Sequence, residues 1–208
     1  TFVILVTSDR GLCGGFNTNL CKAVLEEFSD VPEGQLILSM IGRKGYDFFK
    51  RRSVEIQGNY QDTRPEDQAH VVREVVNHSI KLFESGELAK VCLAYNHYRN
   101  VISQKPVIEQ LLPLSSMETE VLDEREILFE PSPKSILDRL LDKFLENRIY
   151  VSWLDSIAGE YAARMTAMDA ATKNAGEMID KLQLNYNRTR QAAITKELIE
   201  IISGAESI

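Results

Sequence analysis

The residues best placed to do chemistry are Thr7–Ser8–Asp9–Arg10–Gly11–Leu12–Cys13–Gly14–Gly15. A glycine-rich turn between a strand and a helix can cradle phosphate, because a helix N-terminus presents backbone N–H groups without intrahelical partners. The glycines here follow the order GxxGG. A dinucleotide fingerprint needs GxGxxG, and a P-loop ends in Gly-Lys-Ser/Thr. Neither is present, and the spacing favours a tight structural turn. Asp9 and Arg10 suit a local ion pair, or Asp9 a cap on the turn. Elsewhere Cys13, Cys21 and Cys92 form no CxxC, and their odd number points to reduced thiols in a cytosolic setting. His70, His78 and His97 show no ligand spacing, and Glu55, Asp62 and Glu66 are scattered surface carboxylates. These residues make no active site, metal site or cofactor site. Arg43, Lys44, Lys50, Arg51 and Arg52 form a basic cluster that could touch a membrane surface or a polar loop; a solvated face is the default for such a run.

The elements that carry these residues read as an α/β fold, an open Rossmann-like sheet with flanking helices. Residues 2–7 (FVILVT) are a continuous apolar run, as in a strand buried on both faces of a parallel sheet. A helix from Phe16 to Phe28, a strand Gln35–Ile41 and a short helix Gly42–Arg52 follow. Next come a strand Val54–Asn59, a helix Pro65–Ser85 and a strand Lys90–Tyr95. This alternation predicts right-handed crossovers. Lys105–Leu114 contains two prolines and fits an edge strand. Ser115–Glu126 reads as an acidic loop and Ile127–Glu130 as a short last strand. Pro133 then opens a helix at a position where its missing N–H costs nothing.

That helix dominates the remaining chain. From Ser132 to about Gly204 there is no proline after Pro133, and the only interior glycines are Gly159 and Gly176. Seventy-odd residues at about 1.5 Å each give a helix on the order of 100 Å long, far longer than a domain of this size can cover. Apolar or small residues recur at three- and four-residue steps: Leu137, Leu141, Phe144, Val151, Leu154, Ala158, Tyr161, Met165, Met168, and on to Ala193. The spacing is near the 3.5-residue repeat of a left-handed coiled coil. Its middle is rich in Ala and Gly, which lets a partner backbone approach closely. The domains are therefore an α/β unit over residues 1–131 and a very long C-terminal coiled-coil helix over 132–208.

At 208 residues and a net charge of −7, from 24 Lys+Arg against 31 Asp+Glu, the chain is poorly suited to nucleic acid. No apolar run reaches the roughly 20 residues of a membrane span, and no signal peptide opens the chain. A first strand already inside the core, without an initiating Met, reads as the loss of an N-terminal part. That part is a candidate partner for the long helix.

Thr7–Gly15 continued through Phe16–Asn17 resembles the signature of the gamma subunit of F-type ATP synthases. So do Ala162–Ala163–Arg164–Met165–Thr166–Ala167–Met168, Tyr186–Asn187, and Arg190–Gln191–Ala192–Ala193–Ile194–Thr195–Lys196–Glu197–Leu198. The resemblance covers the whole chain. It implies a central rotor shaft of a proton- or ion-translocating ATP synthase, non-catalytic itself and without a cofactor. It implies a foot on the c-ring beside the epsilon subunit, and terminal helices that enter the ring of alpha and beta subunits. The location implied is peripheral, at the cytoplasmic face of a bacterial inner membrane. The family's N-terminal helix is absent here, and so is the cysteine-pair insertion of chloroplast relatives, so no disulfide switch is expected. Carried over by position, Arg164, Arg190, Gln191, Thr195 and Glu197 match beta-subunit and collar contacts, and Phe129 and Glu130 match a region lying on the c-ring. The alternatives are a coiled-coil scaffold protein with an α/β domain and no catalytic role, and an α/β enzyme that binds a nucleotide.

Overall fold

The protein is described from a computed structural model. The structure describes residues 1–32, 34–114, 130 and 133–206. Contacts divide the chain into one unit over Thr1–Thr166 and a second over Ala167–Ile208.

The first unit is built on a five-stranded sheet in the order β3-β2-β1-β4-β5. Its strands are β1 (Phe2–Val6), β2 (Ile37–Ile41), β3 (Glu55–Tyr60), β4 (Val91–Tyr98) and β5 (Gln104–Leu112). The first four are parallel, and β5 runs antiparallel to β4 at the edge. β1 is central and every one of its residues is buried, which is why it reads as an uninterrupted apolar run. Pro106 sits within β5, opposite Asn96; the edge position tolerates its missing donor. The helices are α1 (Phe16–Glu27), α2 (Arg43–Phe49), α3 (Gln68–Glu84) and α4 (Pro133–Glu206), with a 3-10 turn, Pro65–Asp67, leading into α3.

The sheet separates two apolar cores. On one face Val3, Leu5, Leu38 and Met40 meet α1 through Leu20 and Val24, together with Phe49 of α2. On the other, Phe2, Ile4, Val6 and Leu93 meet α3 through Val72, Val75 and Val76. The same face is completed by Leu145, Ile149 and Trp153 of α4. These three were not in the seam read from the sequence. They form a separate stripe, at steps of four, on the side of α4 opposite to most of that seam, although Leu141 of the seam packs against the same core. At about 100° per residue, Leu145 and Leu154 point in opposite directions. Accordingly Leu145 is 2% exposed, whereas Leu154 is 43% exposed. Leu137, Phe144, Val151, Tyr161 and Met165 of the seam are exposed as well.

β4 runs three residues beyond the strand expected from apolar character, through Asn96, His97 and Tyr98. Asn96 is buried because its amide donates to the Phe16 carbonyl at 3.1 Å, a bond that ties β4 to the start of α1. The expected loop Ser115–Glu126 and the strand residues Ile127–Phe129 lie outside the described residues. Glu130 is an exposed bend.

The second unit is the remainder of α4. Every described residue from Met168 to Ser203 is exposed, including Met178, Ile179, Leu182, Tyr186, Ile194 and Leu198.

Candidate subunit interface

The glycine-rich turn after β1 is held by its own polar residues. Ser8 N–H donates to Asn17 Oδ1 at 2.9 Å, and Asn17 Nδ2 returns a bond to Ser8 Oγ at 2.7 Å. Asn17 also donates to Cys13 Sγ, and Ser8 Oγ donates to the Arg10 carbonyl at 2.6 Å. Thr7 Oγ1 accepts from the Gly45 N–H at 2.9 Å, which fastens the start of α2 to the end of β1. The two backbones approach so closely here that a Cβ on Gly42, whose φ is +99°, would lie 2.2 Å from the Thr7 carbonyl oxygen. Asp9 caps rather than pairing with Arg10. Its Oδ1 accepts from the N–H groups of Arg43 and Asp62 at 2.9 and 3.0 Å, and Arg43 in turn pairs with Asp62. One member of the basic cluster thus belongs to this brace.

β1 lies between β2 and β4 in this sheet, so the carboxyl end of β1 is a point where crossovers leave in opposite directions. An open α/β sheet ordinarily takes its ligand at such a point. In this chain α4 reaches into it. Arg164 donates to the Gly11 carbonyl at 3.3 Å and to Glu160 Oε1 at 2.6 Å, and its guanidinium lies 5.9 Å from the Tyr161 ring. A cleft of about 470 Å³ is left beside it, with Ser8, Asp9, Gln68 and Ser156 among its lining residues. In the turn that resembled a phosphate cradle the Gly11 carbonyl accepts from a guanidinium, and the cleft beside it is lined by charges of both signs, Arg10, Arg64 and Arg164 with Asp9, Asp62 and Glu160. Among the described residues no group of His, Cys, Asp and Glu converges as a metal site.

Further along the first unit, polar contacts fix α4 to the sheet. Arg148 makes a two-pronged pair with Glu109 of β5, with Nε 2.7 Å from Oε1. The hydrogen bond it donates to Glu109 is the chief reason that Arg148 holds its proton even more tightly than an ordinary arginine. Asp155 Oδ2 lies 2.6 Å from His97 Nδ1, and Asp155 Oδ1 accepts from the Tyr98 N–H at 3.3 Å. Thr166 Oγ1 lies 3.3 Å from the Val101 carbonyl, at the turn between β4 and β5, and 3.1 Å from the Ala162 carbonyl of its own helix, so its one proton is shared between the two. On the other flank Arg73 of α3 is 3.8 Å from Glu146.

The residues matched to family contacts are dispersed. Arg164 is engaged inside the first unit. Arg190, Gln191, Thr195 and Glu197 are exposed on the second, where Thr195 Oγ1 donates to the Gln191 carbonyl one turn back at 2.8 Å. Glu130 is exposed, and Phe129 lies outside the described residues. The structure adds what sequence reasoning missed, the pairs Arg148–Glu109 and Asp155–His97. Their partners are 39 and 58 positions apart, and only the fold joins them.

Among the described residues no helix is long and apolar enough to cross a membrane. A family model described as ATP synthase matches residues 1–208. The ATP synthase gamma chain of Pelotomaculum thermopropionicum is 44% identical over 206 residues, covering 99% of this chain and 72% of that protein. The gamma chain of Geotalea daltonii is 47% identical over 216 residues, with 99% and 72% covered. Among solved structures, a chain of the Euglena gracilis mitochondrial ATP synthase superposes with a TM-score of 0.66 at 19% identity, covering 99% of this chain and 72% of that one. A chain of the Tetrahymena thermophila mitochondrial ATP synthase central stalk gives 0.61 at 24%, covering 82% and 75%. These two likenesses establish a shared fold: a sheet unit carrying a long C-terminal helix. On the sequence matches over its whole length, the chain belongs to the ATP synthase gamma chain family.

Proposed function

We propose that the chain is the central rotor shaft of an ATP synthase, coupling c-ring rotation to conformational change in the catalytic beta subunits. The observation that carries this reading is the unpartnered helix. The second unit exposes Met178, Ile179, Leu182, Tyr186 and Leu198 on a single helix, and a lone helix in water draws little stability from its own hydrogen bonds. Such a surface requires protein around it. In this reading a second helix covers the seam, as the N-terminal helix does in the family, and the alpha–beta ring surrounds the pair.

The chain is non-catalytic in this role. It presents different faces to three beta subunits in turn, and a partner shifts a conformational equilibrium only through differential contact with its states. Exposed Arg190, Gln191, Thr195 and Glu197 supply exchangeable polar contacts to the ring. Arg164 anchors the helix at its base. Phe129 and Glu130 are assigned to the c-ring contact by their match to the family, and the epsilon subunit lies beside the foot. Residues 1–131 act as foot and 132–208 as shaft, peripheral to the membrane at its cytoplasmic face, held there by the complex.

The test is co-elution on a sizing column. The chain is mixed with alpha and beta subunits and with a peptide of the family's N-terminal helix. One chain per hexamer is expected, lost when Thr189–Ile208 is deleted, with ATP-driven proton pumping weakened by R190A/Q191A. A stable homodimer that ignores the hexamer supports a coiled-coil scaffold instead.

A further inference from the structure

We propose that the polar contacts flanking the buried stripe of α4 form an anti-roll lock, through which torque passes between this helix and the sheet. The inference rests on the shaft reading above. Its basis is angular. At about 100° per residue, Arg148, Asp155 and Thr166 fall within about 20° of one another around the helix axis. Glu146 and Arg164, eighteen positions apart and so five whole turns at 3.6 residues each, fall on a second line. The two lines stand about 160° apart, with Leu145, Ile149 and Trp153 between them. The first row grips β5 through Glu109, β4 through His97 and the Tyr98 N–H, and the following turn through the Val101 carbonyl. The second meets α3 through the charge of Arg73, 3.8 Å from Glu146, and grips the glycine-rich turn by a hydrogen bond to the Gly11 carbonyl.

Apolar burial is non-directional. It presses α4 onto the sheet, but sliding side chains past one another keeps much of the contact. Hydrogen bonds weaken steeply with angle, and a forked Arg–carboxylate pair is fixed in plane as well as distance. A roll of α4 in either sense therefore stretches one row of directional contacts while compressing the other. Rows on both flanks, tied to five separate places on the unit, resist rotation about the axis.

The test uses the chain assembled with alpha and beta subunits and the N-terminal helix peptide. A bead is attached to the sheet unit through E66C, at an exposed position that belongs to neither row. Rotation is recorded as viscous load rises. For E109A/D155A, unloaded ATP hydrolysis is expected within about twofold of the parent, while rotation at the highest load falls at least fivefold. The reversed pair E109R/R148E, which keeps the forked geometry, is expected to recover most of that loss in the D155A background. Should E109A/D155A fail to fold, shown by loss of the cooperative thermal transition, D155N with E109Q replaces it; both keep their volume and lose their charge. Load curves that superpose on the parent overturn the lock and leave the shaft reading standing. A parent chain that never drives the bead overturns both.

Discussion

Leu145 and Leu154 offer one substitution on opposite faces of one helix. Leu145 is 2% exposed and packs in the core shared with α3 and β4, whereas Leu154 is 43% exposed on the seam. Truncating a buried Leu to Ala removes its transfer free energy and leaves a cavity, together about 3 kcal/mol within an observed range of roughly 2.7–5. At Leu154 no cavity forms, because solvent already reaches the site. About half of a full Leu burial, or roughly 1 kcal/mol, is the most that is lost. For a chain of this size each kcal/mol moves the midpoint by about 2–4 °C. Leu145→Ala should therefore lower Tm by about 6–12 °C, and Leu154→Ala by no more than about 4 °C. Adding the N-terminal helix peptide reverses the sensitivity at Leu154: its truncation should weaken peptide binding about tenfold or more, while Leu145→Ala acts only through stability. Thermal melts by circular dichroism and a peptide titration provide both numbers. Equal Tm losses for the two variants in the chain alone would refute the two-faced description of α4.

Gly42→Ala should destabilise by about 3 kcal/mol, combining about 1–3 for a positive-φ extended conformation essentially confined to glycine with the displacement of a carbonyl 2.2 Å from the new Cβ. Gly14→Ala, with φ +59° and open space around it, should cost only about 1–2 kcal/mol; urea midpoints would separate the two. Burial pushes the Cys21 thiol up to about 12 from its ordinary 9. The unfolded thiol therefore loses its proton first, and the stabilising contribution, complete below pH 9, is lost as pH rises toward 12. Stability should fall by up to about 1.4 kcal/mol per pH unit in that window, and Cys21→Ala should flatten the slope in alkaline urea titrations.

Much of the first unit is legible in the sequence because parallel strands buried on both faces are written as unbroken apolar runs. β1 and the apolar part of β4 follow that pattern. β4 extends further because buried Asn96 is paid for by a bond to Phe16 that no local pattern encodes. The long helix was legible as a helix, but its two faces were not. Leu145, Ile149 and Trp153 interleave with Phe144, Val151 and Leu154, so a single periodic seam absorbs whichever stripe is sought first. The braces share a different obstacle. Gly11 and Arg164 are 153 positions apart, and a carbonyl acceptor carries no side-chain signature at all.

The place of Leu145, Ile149 and Trp153 in the sheet's core also orders events on the ribosome. By the time Leu112 has emerged, all five strands are available, yet one face of the sheet lacks part of its cover until Trp153 follows 41 positions later. At about 5–20 residues per second, the interval is about 2–8 s. During it Phe2, Ile4 and Leu93 have α3 over them but not yet Leu145, Ile149 and Trp153. The nascent chain is most open to chaperone capture, or to aggregation, in that interval, which closes when the base of α4 arrives.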